Sequence, residues 1–109
     1  MRLWTVEEVR AYLPRLRELL ATVQRATTET DGGVLVVRAG SEHAEAALDE
    51  LEAKGVILRQ LPAGLVDFPS MGPDGDTRLL CWKTDEDDLE WWHPLDTGFA
   101  GRRRLDDPD

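Results

Sequence analysis

The side chains best suited to chemistry fall within residues 64–109, each inside a short apolar or glycine-flanked stretch. Asp67 lies between Val66 and Phe68, Cys81 between Leu80 and Trp82, His93 behind Trp91 and Trp92, and Arg102 behind Gly98-Phe99-Ala100-Gly101. A carboxylate in an apolar strand is costly to bury unless something pairs with it. Arg78, Arg102, a set of backbone amides or a ligand could do so. Thiol, imidazole and carboxylate are together a ligand set for a soft metal ion. The same three groups could run nucleophilic thiol chemistry, with His93 as base and Asp67 as its orienter. Arg102, after two glycines that let backbone approach closely, could clamp a carboxylate or phosphate.

Each reading has a plainer competitor. The chain has no Cys-x-x-Cys and no His-x-x-x-His, so spacing argues against a dedicated metal site. Were one present, its ligands would be Cys81, His93 and Asp67, helped by Glu86 or Glu90. A cysteine between leucine and tryptophan is more often packed than reactive. Asp67 could be held in a structural ion pair. Asp85 to Asp88 lacks the glycine and ligand spacing of a calcium loop. His43 is expected to face solvent. The ligand-binding candidates are Asp67, Trp82, Glu86, Trp92, His93 and Arg102. The sequence assigns neither a catalytic residue nor a cofactor.

These residues need a scaffold. If Lys83 stands opposite Leu89 across a tight turn, Cys81 faces Trp91 and Leu79 faces His93. Cys81 and His93 are then diagonal neighbours about 7–8 Å apart at Cα. Leu80, Trp82, Glu90 and Trp92 take the other face, and a one-residue slip would separate cysteine from histidine. Period-two patterning supports strands at 56–59, 65–68 (stopped by Pro69), 78–83 and 89–93, joined by turns at 62–64, 70–76 and 84–88.

Upstream the period is helical. Thr5 and Glu8 form a capping box. Val6, Val9, Leu13, Leu16, Leu20 and Val23 follow as a seam that continues in phase across Pro14, where a kink or brief break is expected before the helix resumes to about Thr28. Thr30 to Gly33 should end it, and Val34 to Val37 could be extended. A second helix begins at the Ser41 cap, buries Ala44, Ala47, Leu48 and Leu51, and closes at Lys54-Gly55. The expected fold is α+β and a single domain over 1–109. An N-terminal antiparallel helical hairpin (1–55) packs with a small C-terminal antiparallel β-meander and loop (56–102), and a polar tail (103–109) frays. Residues 29–41 are the segment least determined by pattern.

With 109 residues the chain has room for one small core. The seam exceeds what the alanine-rich second helix can cover, so a homodimer through the first helix is expected. The net charge of −9 opposes a nucleic-acid backbone, and only Arg102 to Arg104 break the acidic trend. No apolar run approaches the roughly 20 residues needed to span a bilayer. Acidic residues interrupt the N-terminus before any leader-like apolar stretch. A lone cysteine asks for no oxidising compartment. A cytoplasmic protein follows.

The motifs resemble an uncharacterised prokaryotic family, the domain of unknown function family 2203. Its pattern is matched by Thr5, Glu7, Glu8, Leu13 and Pro14; by Gly64 to Pro69; by Leu80 to Lys83; by Glu86; by Trp92-His93; and by Gly98 to Arg102. Asp85 stands where the family's turn carries glycine, and the middle region is short. The resemblance implies a prokaryotic cytoplasmic setting and a site near the C-terminal motifs, but no activity. The leading expectation is a small homodimeric binding module with a small-molecule pocket on its C-terminal sheet. The alternative is a small enzyme or metal-dependent protein using the Asp/Cys/Glu/His/Arg cluster. In either case Asp67 should lie within direct or one-water reach of Arg102 or His93, in a pocket walled by a tryptophan.

Overall fold

The computed structural model describes residues 2–29, 35–37, 42–60 and 63–105. Helix α1 (Val6–Arg25) starts with the expected capping box: the Thr5 hydroxyl accepts from the Glu8 amide, and the Glu8 carboxylate accepts from the Thr5 amide. The helix is unbroken through Pro14, which lies on its exposed side. A helix bows most easily on its solvent side, where stretched carbonyls can turn to water, so losing one amide there does not stop it. It ends at Arg25, short of Thr28, because the chain turns extended at once. Strands β1 (Thr27–Glu29) and β2 (Leu35–Val37) pair antiparallel, with Thr28 opposite Val36. A two-stranded ribbon thus stands between the helices, its second strand falling on the segment expected to be extended. The expected stop at Thr30 to Gly33, Val34, the Ser41 cap and Pro62 lie outside the described residues.

Helix α2 (Glu42–Ala53) buries Ala44, Ala47 and Leu51 and closes as its sequence indicates. Gly55 takes φ 78°, its amide reaches Glu52 O at 3.0 Å, and the Val56 amide reaches Leu51 O at 2.9 Å. Those two bonds make a Schellman cap, which needs the left-handed conformation that glycine adopts freely. The two helices run in opposite senses. Tyr12 and Arg15 of α1 bond Glu50 near the end of α2, and the last turn of α1 lies beside His43 and Ala46 near its start.

Strands β3 (Ile57–Gln60), β4 (Leu65–Met71), β5 (Thr77–Trp82), β6 (Trp91–Pro94) and β7 (Arg103–Arg104) form one antiparallel meander in chain order. Two sequence boundaries move. Strand β4 continues past Pro69 to Met71. Beyond Asp67 the β3 edge has run out, so a proline amide is not needed there. The Pro69 carbonyl instead accepts the Trp4 amide at 2.7 Å. Arg103 and Arg104, expected to fray, pair with Trp92 and Trp91; residues 106–109 lie outside the described residues.

One face of the sheet packs on α1. Val66, Phe68, Leu80 and Trp82 meet Val9, Leu13, Leu16, Leu20 and Val23, with Trp4 and Leu89 closing the ends. The whole α1 seam from Val9 to Val23 is buried within one chain. The apolar surplus that made a second copy attractive is therefore consumed by the sheet. Leu16→Ala, at a fully buried position, should cost about 2–5 kcal/mol as lost contacts plus cavity. Thr5→Ala should cost about 1 kcal/mol through the cap alone. Urea unfolding of the two variants checks both values and their order.

Candidate functional site

The opposite face of the sheet carries the polar cluster. Register places it there: Asp67 stands across from Cys81, and Leu79 across from His93, with Cys81 opposite Trp91. This is the alignment expected from the turn, although the paired residues stop short of Lys83 and Leu89. Asp67, Cys81 and His93 come from three adjacent strands, and all three are buried.

The Asp67 carboxylate is the centre. His93 Nε2 lies 3.1 Å from both of its oxygens, and Arg59 Nε donates to Oδ2 at 2.8 Å. The Cys81 sulfur lies within 4.8 Å of this pair. Arginine and imidazole thus share one carboxylate, which is how a buried aspartate in an apolar strand is satisfied. His93 Nδ1 is tied to the Pro94 carbonyl at 2.8 Å.

Arg59 was not among the partners expected for Asp67, which were Arg78, Arg102, a set of backbone amides or a ligand. The register between β3 and β4 shifts between Leu58 and Gln60. A bulge re-aims side chains, and here Arg59 reaches Asp67. The available signal was the short hairpin, which puts Arg59 near Asp67 in any pairing of 57–60 with 65–67.

Arg102 is engaged elsewhere. Its Nη2 meets both Glu86 oxygens at 2.8 Å, and it stacks between Trp91 and Phe99 at 4.8 and 4.6 Å from the ring centroids. The carboxylate it clamps is internal. Glu86 also accepts the Lys83 amide at 3.0 Å, which fixes the turn between β5 and β6 without the usual glycine. Arg102 Nη2 lies 3.4 Å from the Cys81 carbonyl, so the pair supports the cluster from the side.

Trp82 and Trp92 do not join the site. Trp82 is fully buried on the core face, its indole donating to Glu86 O at 3.1 Å. Trp92 leans on the core and is flanked by Arg78 and Arg103 at 5.0 and 5.5 Å. The expected tryptophan wall is absent from the cavity over the cluster. That cavity, of about 470 Å³, is walled instead by Leu65, Gln60, Leu95, Thr97 and Phe99, with Arg59 and Asp96 at its rim. The loop making this wall depends on glycine. Gly98 takes φ 68°, and a Cβ at Gly101 would collide with the Thr97 side chain.

The electrostatics speak against thiol catalysis. Burial pushes the Cys81 thiol up to about 12, and the Asp67 charge raises it further than Arg102 lowers it. Both His93 ring nitrogens are already engaged, Nδ1 with the Pro94 carbonyl and Nε2 with Asp67. A group whose folded value is raised stabilises the fold below its unfolded value and loses that contribution as pH climbs through the folded one. Cys81, ordinarily at 9.0, therefore favours folding up to pH 9 and progressively less towards 12. Tyr12, raised from 10.0 to about 12 by burial and by Glu50, adds in the same direction. At pH 8, thiol reagents should label Cys81 at the rate of protein opening, and denaturant should accelerate this to the free-thiol rate. Fast native labelling following an ordinary thiol titration would overturn this account.

The family model described as uncharacterized conserved protein (DUF2203) matches residues 35–105. No curated protein and no solved structure matches the chain. The matched span takes in all five strands of the sheet and leaves α1 outside, although α1 carries part of the quoted pattern. The motif segments at 64–69, 80–83, 92–93 and 98–102 build the polar face: the first three supply Asp67, Cys81 and His93, and the last supplies one wall. With most of its length matched, this chain belongs to the DUF2203 family.

Proposed function

We propose that the chain is a small ligand-binding module whose site is the cavity on the outer face of the sheet, floored by Asp67, Cys81 and His93. The observation that carries this reading is the convergence of three buried, chemically capable side chains from three strands at the floor of an accessible cavity. Polar groups held on rigid strands at the floor of a cavity are how proteins fix a small ligand's orientation. Glu86 and Arg102 serve as a clamp that steadies the cavity wall. A reducing, cytoplasmic setting suits the site, since its thiol is unpaired and buried. No helix among the described residues is long and apolar enough to cross a membrane.

A homodimer through α1 would have to dock on the helix's charged side, because its apolar side is spent. Native mass spectrometry of protein purified without chelator tests the binding reading. Wild type should carry mass beyond the polypeptide. Asp67→Asn, which keeps the volume and removes the charge, should lose that mass while retaining its circular dichroism. Wild type without added mass, or equal retention by both, overturns the proposal.

A further inference from the structure

Cys81 Sγ, a His93 ring nitrogen and an Asp67 oxygen lie within 4.8 Å of one another. Ligand atoms around a tetrahedral zinc-like ion sit roughly 3.5 Å apart, given bonds of about 2.0–2.3 Å. Small rotations about side-chain torsions close that difference. We infer that this cluster binds one divalent transition-metal ion through Asp67 carboxylate, Cys81 sulfur and His93 Nε2, leaving a fourth position open to the cavity. The inference rests on the binding reading above and names the class of its ligand.

Three features support it beyond proximity. First, His93 is oriented as metal-bound histidines are: Nδ1 is tied to a backbone carbonyl, which points Nε2 at the cluster centre and fixes the tautomer needed for ligation. Second, the charge balances. A dication that takes the place of the Cys81 thiol proton forms a metal–sulfur bond as that proton leaves to solvent, and its two charges are matched by the thiolate and the Asp67 carboxylate. Substitution of that kind avoids the uncompensated buried charge that makes most interior ions costly. Third, Arg59 is 46% exposed and sits on one oxygen only. It can keep Oδ2 while Oδ1 turns to the ion, or swing to solvent. Sulfur with imidazole selects zinc-like ions over calcium or magnesium, which prefer all-oxygen shells. Three protein ligands with one side facing a cavity leave the ion able to take an external donor, which is the arrangement of an open site.

Cobalt(II), a coloured substitute for zinc, tests this in the intact chain. Chelator-stripped wild type titrated with cobalt chloride should develop a near-ultraviolet cysteinate-to-cobalt charge-transfer band and intensified visible bands. Both should saturate at one equivalent and be bleached by zinc. Cys81→Ser should lose the charge-transfer band with its fold intact. Asp67→Asn and His93→Gln should weaken binding at least tenfold. Should a variant fail to fold, the wild-type titration still decides. Folded wild type that shows no such band at millimolar cobalt, or a band that persists in Cys81→Ser, overturns the metal assignment. An organic mass retained by wild type and lost by Asp67→Asn, with no cobalt band, would keep the binding reading and remove the metal.

Discussion

The carboxylate of Asp67 is the constraint around which the outer face is organised. It sits in the middle of β4, between Val66 and Phe68, whose side chains point the other way into the core. A charge at that depth is tolerable only with donors fixed close by. They come from two other strands, Arg59 from β3 and His93 from β6, with the Cys81 sulfur of β5 beside them. One side chain therefore ties three strands together. A shift of any of them by one residue would remove a donor and leave a buried acceptor unpaired, so the polar cluster enforces the register that the core also demands.

Arginine–aromatic stacking completes the sheet where its aromatic residues outnumber the places in the core. Trp4 and Trp82 are in the interior, while Trp91 and Trp92 straddle its edge. Arg102 and Arg104 flank Trp91, and Arg78 and Arg103 flank Trp92. Guanidinium planes cover ring faces while keeping their donors at the margin. The basic run at 102–104 is in this way engaged within a strongly acidic chain. Its members are spent on Trp91, Trp92, Phe99, Glu86 and Glu90.

Much of this was legible in the residues. The capping box, the seam, the glycine closure of α2 and the alignment of Cys81 with Trp91 all follow from local rules of spacing, and local rules act here without competition. The misreadings have a common origin in tertiary context. Pro69 reads as a strand end until the neighbouring strand is known to stop first. The α1 seam reads as more apolar surface than the second helix can cover until the sheet is known to pack on it. Arg102 reads as a ligand clamp, yet it pairs with Glu86, sixteen residues away along a path that no short-range pattern reveals. Arg59 was missed because a bulge decides where it points, and a bulge leaves little trace in four residues.

The two faces of β4 and β5 show how stability and chemistry can share so small a sheet. Val66, Phe68, Leu80 and Trp82 face the helices; Asp67, Cys81 and the partnering His93 face away. Because the strand period is two, core and site residues alternate along the same segments. Any substitution that disturbs the packing of Phe68 or Leu80 moves the backbone that carries Asp67 and Cys81. Irregularity is confined instead to the edge, at Leu58 to Gln60, where the bulge displaces no fully buried residue. The site gains its arginine there, at the one place where the sheet can bend without cost to its core.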